Sequence, residues 1–237
     1  MRLPVLLAVP LVSLPALVAM PAQAALVQYA YTATVSKIAE IPGGTGTVNW
    51  LDSSTLAGPT ISVGNTWTGT FFYDTDLALD TYQPGPEEHG SYQMYTGAIG
   101  STITDAQTGL SFSSDPALSW LSRLSVQDSP DGAGSDSLSF TAHRSGTDFE
   151  TGSFWFHDLH GNALASSAVP SSLALGDFQF ARVSYSFLQD GTNNWMSADA
   201  DITSLTLVTA PVPEPSTYAM LGLGLAALAM TKKLRRA

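Results

Sequence analysis

Val27-Gln28-Tyr29-Ala30-Tyr31-Thr32-Ala33-Thr34-Val35-Ser36-Lys37-Ile38 sets Val27, Tyr29, Tyr31, Ala33 and Val35 on one face of an extended chain. A period of two over that length marks a half-buried strand, because successive side chains of an extended backbone point to opposite faces. Thr66 to Tyr73 repeats the pattern through Trp67, Phe71 and Tyr73. The alternation returns at Ser91 to Ile103, Gly109 to Phe112, Leu118 to Val126, Ser137 to Arg144, Gly152 to His157, Asp177 to Gln189 and Met196 to Val208. Clusters such as Pro42-Gly43-Gly44, Pro84-Gly85-Pro86, Asp131-Gly132-Ala133-Gly134 and Asp190-Gly191 separate these runs and supply the residues that turns require.

Nine or ten short strands with no alternating helical period predict an all-β chain, an antiparallel β-sandwich or jelly roll. No repeat recurs at a fixed period, which argues against a propeller or solenoid. Leu51 to Ile61 and Gly161 to Ser172 are rich in Ser, Ala and Gly and are expected to be long loops or edge covers.

The chain has 237 residues, no cysteine and a formal net charge of −11. Zinc–thiolate sites, iron–sulfur clusters, cysteine nucleophiles and disulfides are therefore excluded. Five of the nine basic residues stand at the ends, leaving Lys37, Arg123, Arg144 and Arg182 against nineteen acids between Ala25 and Val212, a formal charge of −15. Such a body disfavours nucleic acid, which needs a Lys/Arg surface to displace phosphate counterions. It suits solubility, divalent cations or neutral glycans.

Both ends read as addresses. Residues 1–24 start with Met1-Arg2, continue through an apolar run and close on Ala22-Gln23-Ala24, the pattern of a cleavable signal peptide. Cleavage after Ala24 would make Ala25 the first residue of the exported chain, with an extracytoplasmic body over residues 25–211. Residues 212–237 carry Pro213-Glu214-Pro215, an apolar stretch from Thr217 to Met230 and a basic tail with Lys232, Lys233, Arg235 and Arg236. Fourteen helical residues would reach about 21 Å against a hydrocarbon core of about 30 Å. Such a helix would be a short transmembrane hold, and the basic tail fixes the C-terminus in the cytoplasm.

This three-part ending resembles the PEP-CTERM sorting signal of Gram-negative bacteria. The resemblance implies recognition of Pro213, Glu214 and Pro215 by an exosortase-type processing enzyme and transient anchoring in the inner membrane. Release or transfer to the cell envelope, cell surface or extracellular space would follow, usually in organisms that make exopolysaccharide. The body, through Gly69 to Asp76, also resembles the β-sandwich ectodomains often found ahead of such tails, a likeness that brings no catalytic residue with it.

Within the body, Asp74, Asp76 and Asp80 place three carboxylates at a strand end, followed by Glu87 and Glu88, and hard oxygen ligands on a loop suit Ca²⁺. The spacing is not that of an EF-hand, and an Asx turn explains the same residues. Asp128, Asp131, Gly132, Gly134 and Asp136 form a second acidic loop that hairpin chemistry explains equally well. His157, Asp158 and His160 could be metal ligands, but on a strand the two imidazoles point to opposite faces. Asp148 and Glu150 are the carboxylate pair that glycoside hydrolysis would use. No nucleophile elbow, His-Glu-x-x-His or phosphate loop occurs. Trp50, Trp67, Trp120, Trp155 and Trp195 could stack on sugar rings, with burial in the core as the alternative. The sequence therefore predicts an exported, non-catalytic surface or matrix protein with a structural or adhesive role beside exopolysaccharide and no cofactor of its own. A calcium-assisted carbohydrate-binding module and a secreted glycan-acting enzyme are the alternatives.

Overall fold

A computed structural model describes residues 26–43, 45–79, 91–129 and 134–208. All of them fall within one compact unit, Ala24–Val212. The strand read first is the spine of that unit: β1 spans Leu26–Ile41 and buries Val27, Tyr29, Tyr31, Ala33 and Val35, as its alternation requires. Three short strands follow, β2 (Asn49–Leu51), β3 (Ser53–Ser54) and β4 (Ile61–Ser62), so the expected loop over Leu51 to Ile61 carries a small two-stranded ladder of its own. After β5 (Thr66–Asp74) and β6 (Ala78–Leu79), the run expected as one strand from Ser91 to Ile103 divides into β7 (Ser91–Thr96) and β8 (Ile99–Asp105). Gly97 lies between them at φ 142°, a conformation that side chains avoid. β9 covers Leu110–Ser113, and a 3-10 turn at Pro116–Leu121 occupies the start of the next expected strand, which begins only at Arg123 as β10 (Arg123–Asp128). Pro116 begins that turn and Asp115 caps it by accepting a hydrogen bond from the Ala117 amide, which explains the shortening. The remaining strands are β11 (Asp136–Arg144), β12 (Phe149–Asp158), β13 (Phe180–Leu188) and β14 (Trp195–Leu207).

Every pairing is antiparallel, and the main sheet runs β6-β7-β10-β11-β12-β13-β14-β1-β5-β8-β9, with β2 also on β1. The sheet curls until β8 packs across from β11 and β12. The two packed layers expected of the fold are thus the halves of one curled sheet, and the aromatic core lies between them. Phe71 is its hub, with ring centroids 5.2 Å from Tyr29, 5.1 Å from Phe140 and 4.9 Å from Phe154. Each fully buried ring of this size contributes roughly 1.5–3 kcal/mol from burial. Gly152 on β12 lets the facing layer approach, since a Cβ there would stand 2.8 Å from the Phe112 ring and 2.9 Å from the Ser101 hydroxyl.

Two irregularities shape the outside. Along β1 the ladder to β14 slips between Val35 and Lys37, leaving Ser36 as a bulge. The slip reverses the alternation, so that Ile38 turns inward while Lys37 and Ile41 stand on the outer face. At the same place the other edge of β1 passes from β5 to β2, joined by the bonds Val35 N to Asn65 O (2.9 Å) and Gly64 N to Val35 O (2.8 Å).

The second irregularity is the strap of residues 159–179 between β12 and β13. Asp136 and Asp158 lie opposite each other in the β11–β12 ladder, and both are buried. Asp158 accepts from the backbone amides of His160 (2.9 Å), Asn162 (2.6 Å) and Ala163 (3.0 Å), while Asp136 accepts from those of Leu164 (2.8 Å) and Ser129 (2.9 Å). Further along, the Tyr95 hydroxyl donates to Ser167 O (2.7 Å) and the Leu173 amide donates to the Tyr29 hydroxyl (2.5 Å). Leu164, Val169, Leu173 and Leu175 then pack against the core, so two carboxylates and two tyrosines hold down a long segment that has no disulfide.

Candidate functional site

The outer face of β12, β13, β14 and β1 carries an open trough of about 390 Å³. Its floor is set by the polar half of the strand alternation: Ser153, Ser184, Ser186 and Ser197 have short side chains, as does Ala39 of β1. Its walls are indoles. Trp155 rises from β12, Trp195 opens β14, and Trp50 comes from β2 on the far edge of β1. Trp50 is 61% exposed and Trp155 47%, far more than a core tryptophan allows.

The ladder registers fix the layout. One row runs Trp155, Arg182, Asp201; the next Ser153, Ser184, Asp199, Lys37; the next Ser186, Ser197, Ala39, Trp50; and the last pairs Leu188 with Trp195 and Trp195 with Ile41. Small residues in the middle rows with large ones at the ends make the face concave. The bulge at Ser36 is what delivers Lys37 and Ala39 to these rows. The Lys37 ammonium lies 4.3 Å from the centroid of the Trp50 ring, a cation–π contact that fixes the indole. Ser184 donates to Asp199 (2.5 Å), Arg182 Nε donates to Asp201 (3.2 Å), and Arg182 Nη1 lies 3.6 Å from the other Asp199 oxygen. Thr141 and Ser153 share a hydroxyl hydrogen bond of 3.0 Å at one border. The trough thus offers flat apolar rings above a floor of hydroxyls.

The other two tryptophans do not join it. Trp67 is fully buried on β5, and Trp120 projects from the 3-10 turn at 66% exposure. Of the calcium candidates, Asp74 accepts from the Asp76 amide at 2.8 Å, which is an Asx turn, and Asp80 lies outside the described residues, as do Glu87 and Glu88. In the second acidic loop Asp131 is likewise outside them, Asp136 serves the strap, and burial together with the Asp136 charge raises the Asp128 pKa. His157 stands half-buried on the outer face of β12, whereas His160 is exposed in the turn that Asp158 organises, so the two imidazoles do not converge. Among the described residues no three His, Asp or Glu side chains are gathered for a metal ion.

Glu150 is buried, and both its oxygens are engaged, one by Arg144 and the other by the Tyr185 hydroxyl at 2.7 Å. Burial, followed by the Glu150 bond, pushes the Tyr185 phenol well above its ordinary value. Asp148 instead accepts from the Asp190 amide at 2.9 Å, tying the start of β12 to the turn after β13. The carboxylate pair therefore does two separate structural jobs. The residues that sequence reasoning passed over are the floor serines. Their signal is the alternation itself, because Ser153, Ser184, Ser186 and Ser197 occupy the outward half of strands whose inward half holds Phe154, Val183, Tyr185 and Met196.

The signal-peptide residues Ala22, Ala24 and Ala25 and the whole tail, Pro213 to Arg236, lie outside the described residues. Among the described residues no helix is long and apolar enough to cross a membrane. Neither a curated protein nor a solved structure matches the chain. A family model described as the PEP-CTERM protein-sorting motif matches residues 211–236, the segment that begins just beyond the last described strand. The chain therefore carries a PEP-CTERM protein-sorting motif, the mark of an exported protein targeted to an exosortase.

Proposed function

We propose that this protein is a non-catalytic adhesive component of the cell surface or extracellular matrix, whose β body holds exopolysaccharide. The observation that carries the reading is the outer trough, where Trp50, Trp155 and Trp195 surround a serine floor. Exposed indoles are costly to leave in water unless something covers them, and the apolar face of a sugar ring fits them while its hydroxyls meet the floor. Delivery follows from the tail: Thr217 to Met230 hold the exported chain in the inner membrane with its C-terminus in the cytoplasm until an exosortase acts on Pro213-Glu214-Pro215. The signal peptide ending at Ala24 starts the route. The trough is built from described side chains, whereas in the calcium candidate Asp74 already accepts from the Asp76 amide and Asp80 lies outside the described residues, which favours the trough as the means of holding sugar.

Co-sedimentation of the full-length chain with exopolysaccharide, run in calcium and in chelator while freed reducing ends are assayed, tests this. Retention in both conditions without freed ends is expected. Retention only in calcium would transfer the role to the acidic loops, freed ends that vanish on substituting Glu150 would make the protein an enzyme, and no retention would sink the reading.

A further inference from the structure

We infer that the trough takes a neutral, extended oligosaccharide of pyranose rings and needs no calcium to do so, with Trp155 stacking at one end and Trp50 and Trp195 at the other. The inference rests on the glycan-holding function proposed above and narrows it to a ligand class. Charge is the first argument. Two cations, Lys37 and Arg182, face two carboxylates, Asp199 and Asp201, so the face has no formal net charge although the body around it carries −15. Both cations are occupied, Arg182 by the two carboxylates and Lys37 by the Trp50 ring. A uronate chain would carry repeated negative charge toward an acidic body on a face whose two cations are already balanced by Asp199 and Asp201, and a second copy of this chain would meet the same repulsion. A neutral sugar meets neither cost.

Length is the second argument. Arg182, level with Trp155, and Leu188, level with Trp195, are six residues apart on β13, roughly 20 Å along the strand. The step from β12 to β14 adds about 10 Å across it. Platforms so far apart cannot both engage one ring, so the occupant is a chain of several rings. The third argument is relief: between the platforms the floor side chains are serines and Ala39, interrupted only by Asp199 and Lys37, which leaves a channel for hydroxyl groups instead of isolated pockets.

The test uses the full-length chain in a detergent without a sugar headgroup, in chelator, titrated with cellohexaose, maltohexaose, hexagalacturonate and glucose. Tryptophan fluorescence and calorimetry are the readouts. A neutral hexasaccharide is expected to bind at least about tenfold more tightly than glucose or hexagalacturonate, a step of about 1.4 kcal/mol. Trp155→Ala and Trp50→Ala should each weaken it by about that factor, with Trp155→Phe intermediate and Trp120→Ala, more exposed than either but elsewhere, without effect. Because these side chains are on the surface, unchanged circular dichroism verifies folding for each variant. Hexagalacturonate binding as tightly as the neutral chains, a requirement for calcium, or self-association abolished by Trp155→Ala would each overturn the inference. If neutral hexasaccharides fail while exopolysaccharide is still retained, the ligand class is wrong and the glycan-holding function stands; if nothing is retained, both fall.

Discussion

Glu150 illustrates how one buried carboxylate can tie several strands together. Its neighbours Arg144 and Tyr185 take one oxygen each, and Arg144 also donates to Ser111 O at 2.8 Å on the edge strand β9, so the group links four strands, β9, β11, β12 and β13. Removing it leaves a buried phenol without its acceptor and a guanidinium without its counter-charge. Glu150→Ala is therefore expected to cost about 3 kcal/mol in urea unfolding, and Tyr185→Phe only about 1 kcal/mol, because the carboxylate keeps Arg144. Equal costs for the two would mean that the hydroxyl bond, and not the ion pair, carries the network.

The strap shows the same economy in a longer segment. Asp158 is held down to a pKa of about 2, first by the Asn162 amide and then by that of His160, against about 3.9 in an unfolded chain. A depressed carboxylate contributes stability that is fully present above its unfolded value and is lost as pH falls through its folded one. Cleavage of residues 159–179 by pepsin should thus remain slow near pH 4 and accelerate toward pH 2, whereas Asp158→Asn should be cleaved faster already at pH 4. Identical profiles for the two proteins would show that Asp158 does not hold the strap. These elements also mark the limit of what the sequence made legible. The inward faces of β1, β5, β11, β12 and β13 were readable from local alternation. The bulge at Ser36 was not, because it arises from pairing with Asp199 and Ala200 far along the chain, and without it Lys37 and Ala39 could not be assigned to the trough. Of the five tryptophans, sorting three into one site required the register of four ladders. Asp136 and Asp158 looked like loop or metal residues because their amide partners come from the strap, which has no periodicity to read.

Across the whole chain the sorting motif at 211–236 starts only a few residues after β14, so the body ends almost where processing begins. Replacing Pro213-Glu214-Pro215 by alanines is expected to leave an unprocessed, membrane-associated form visible as a slower band on immunoblots of fractionated cells. Processing that continues unchanged would mean the triplet is not the recognised feature. The position of β14 has a further consequence. It is the neighbour of β1 along nearly the full length of that strand, yet among the described strands it is the last to be made. A chain that crosses a membrane N-terminus first therefore carries its longest strand across early, then waits with one edge of it unpaired until residues 195–207 arrive. With the sorting motif starting only a few residues behind that strand, the last pairing of the sheet is completed close to the moment at which the chain meets its processing enzyme.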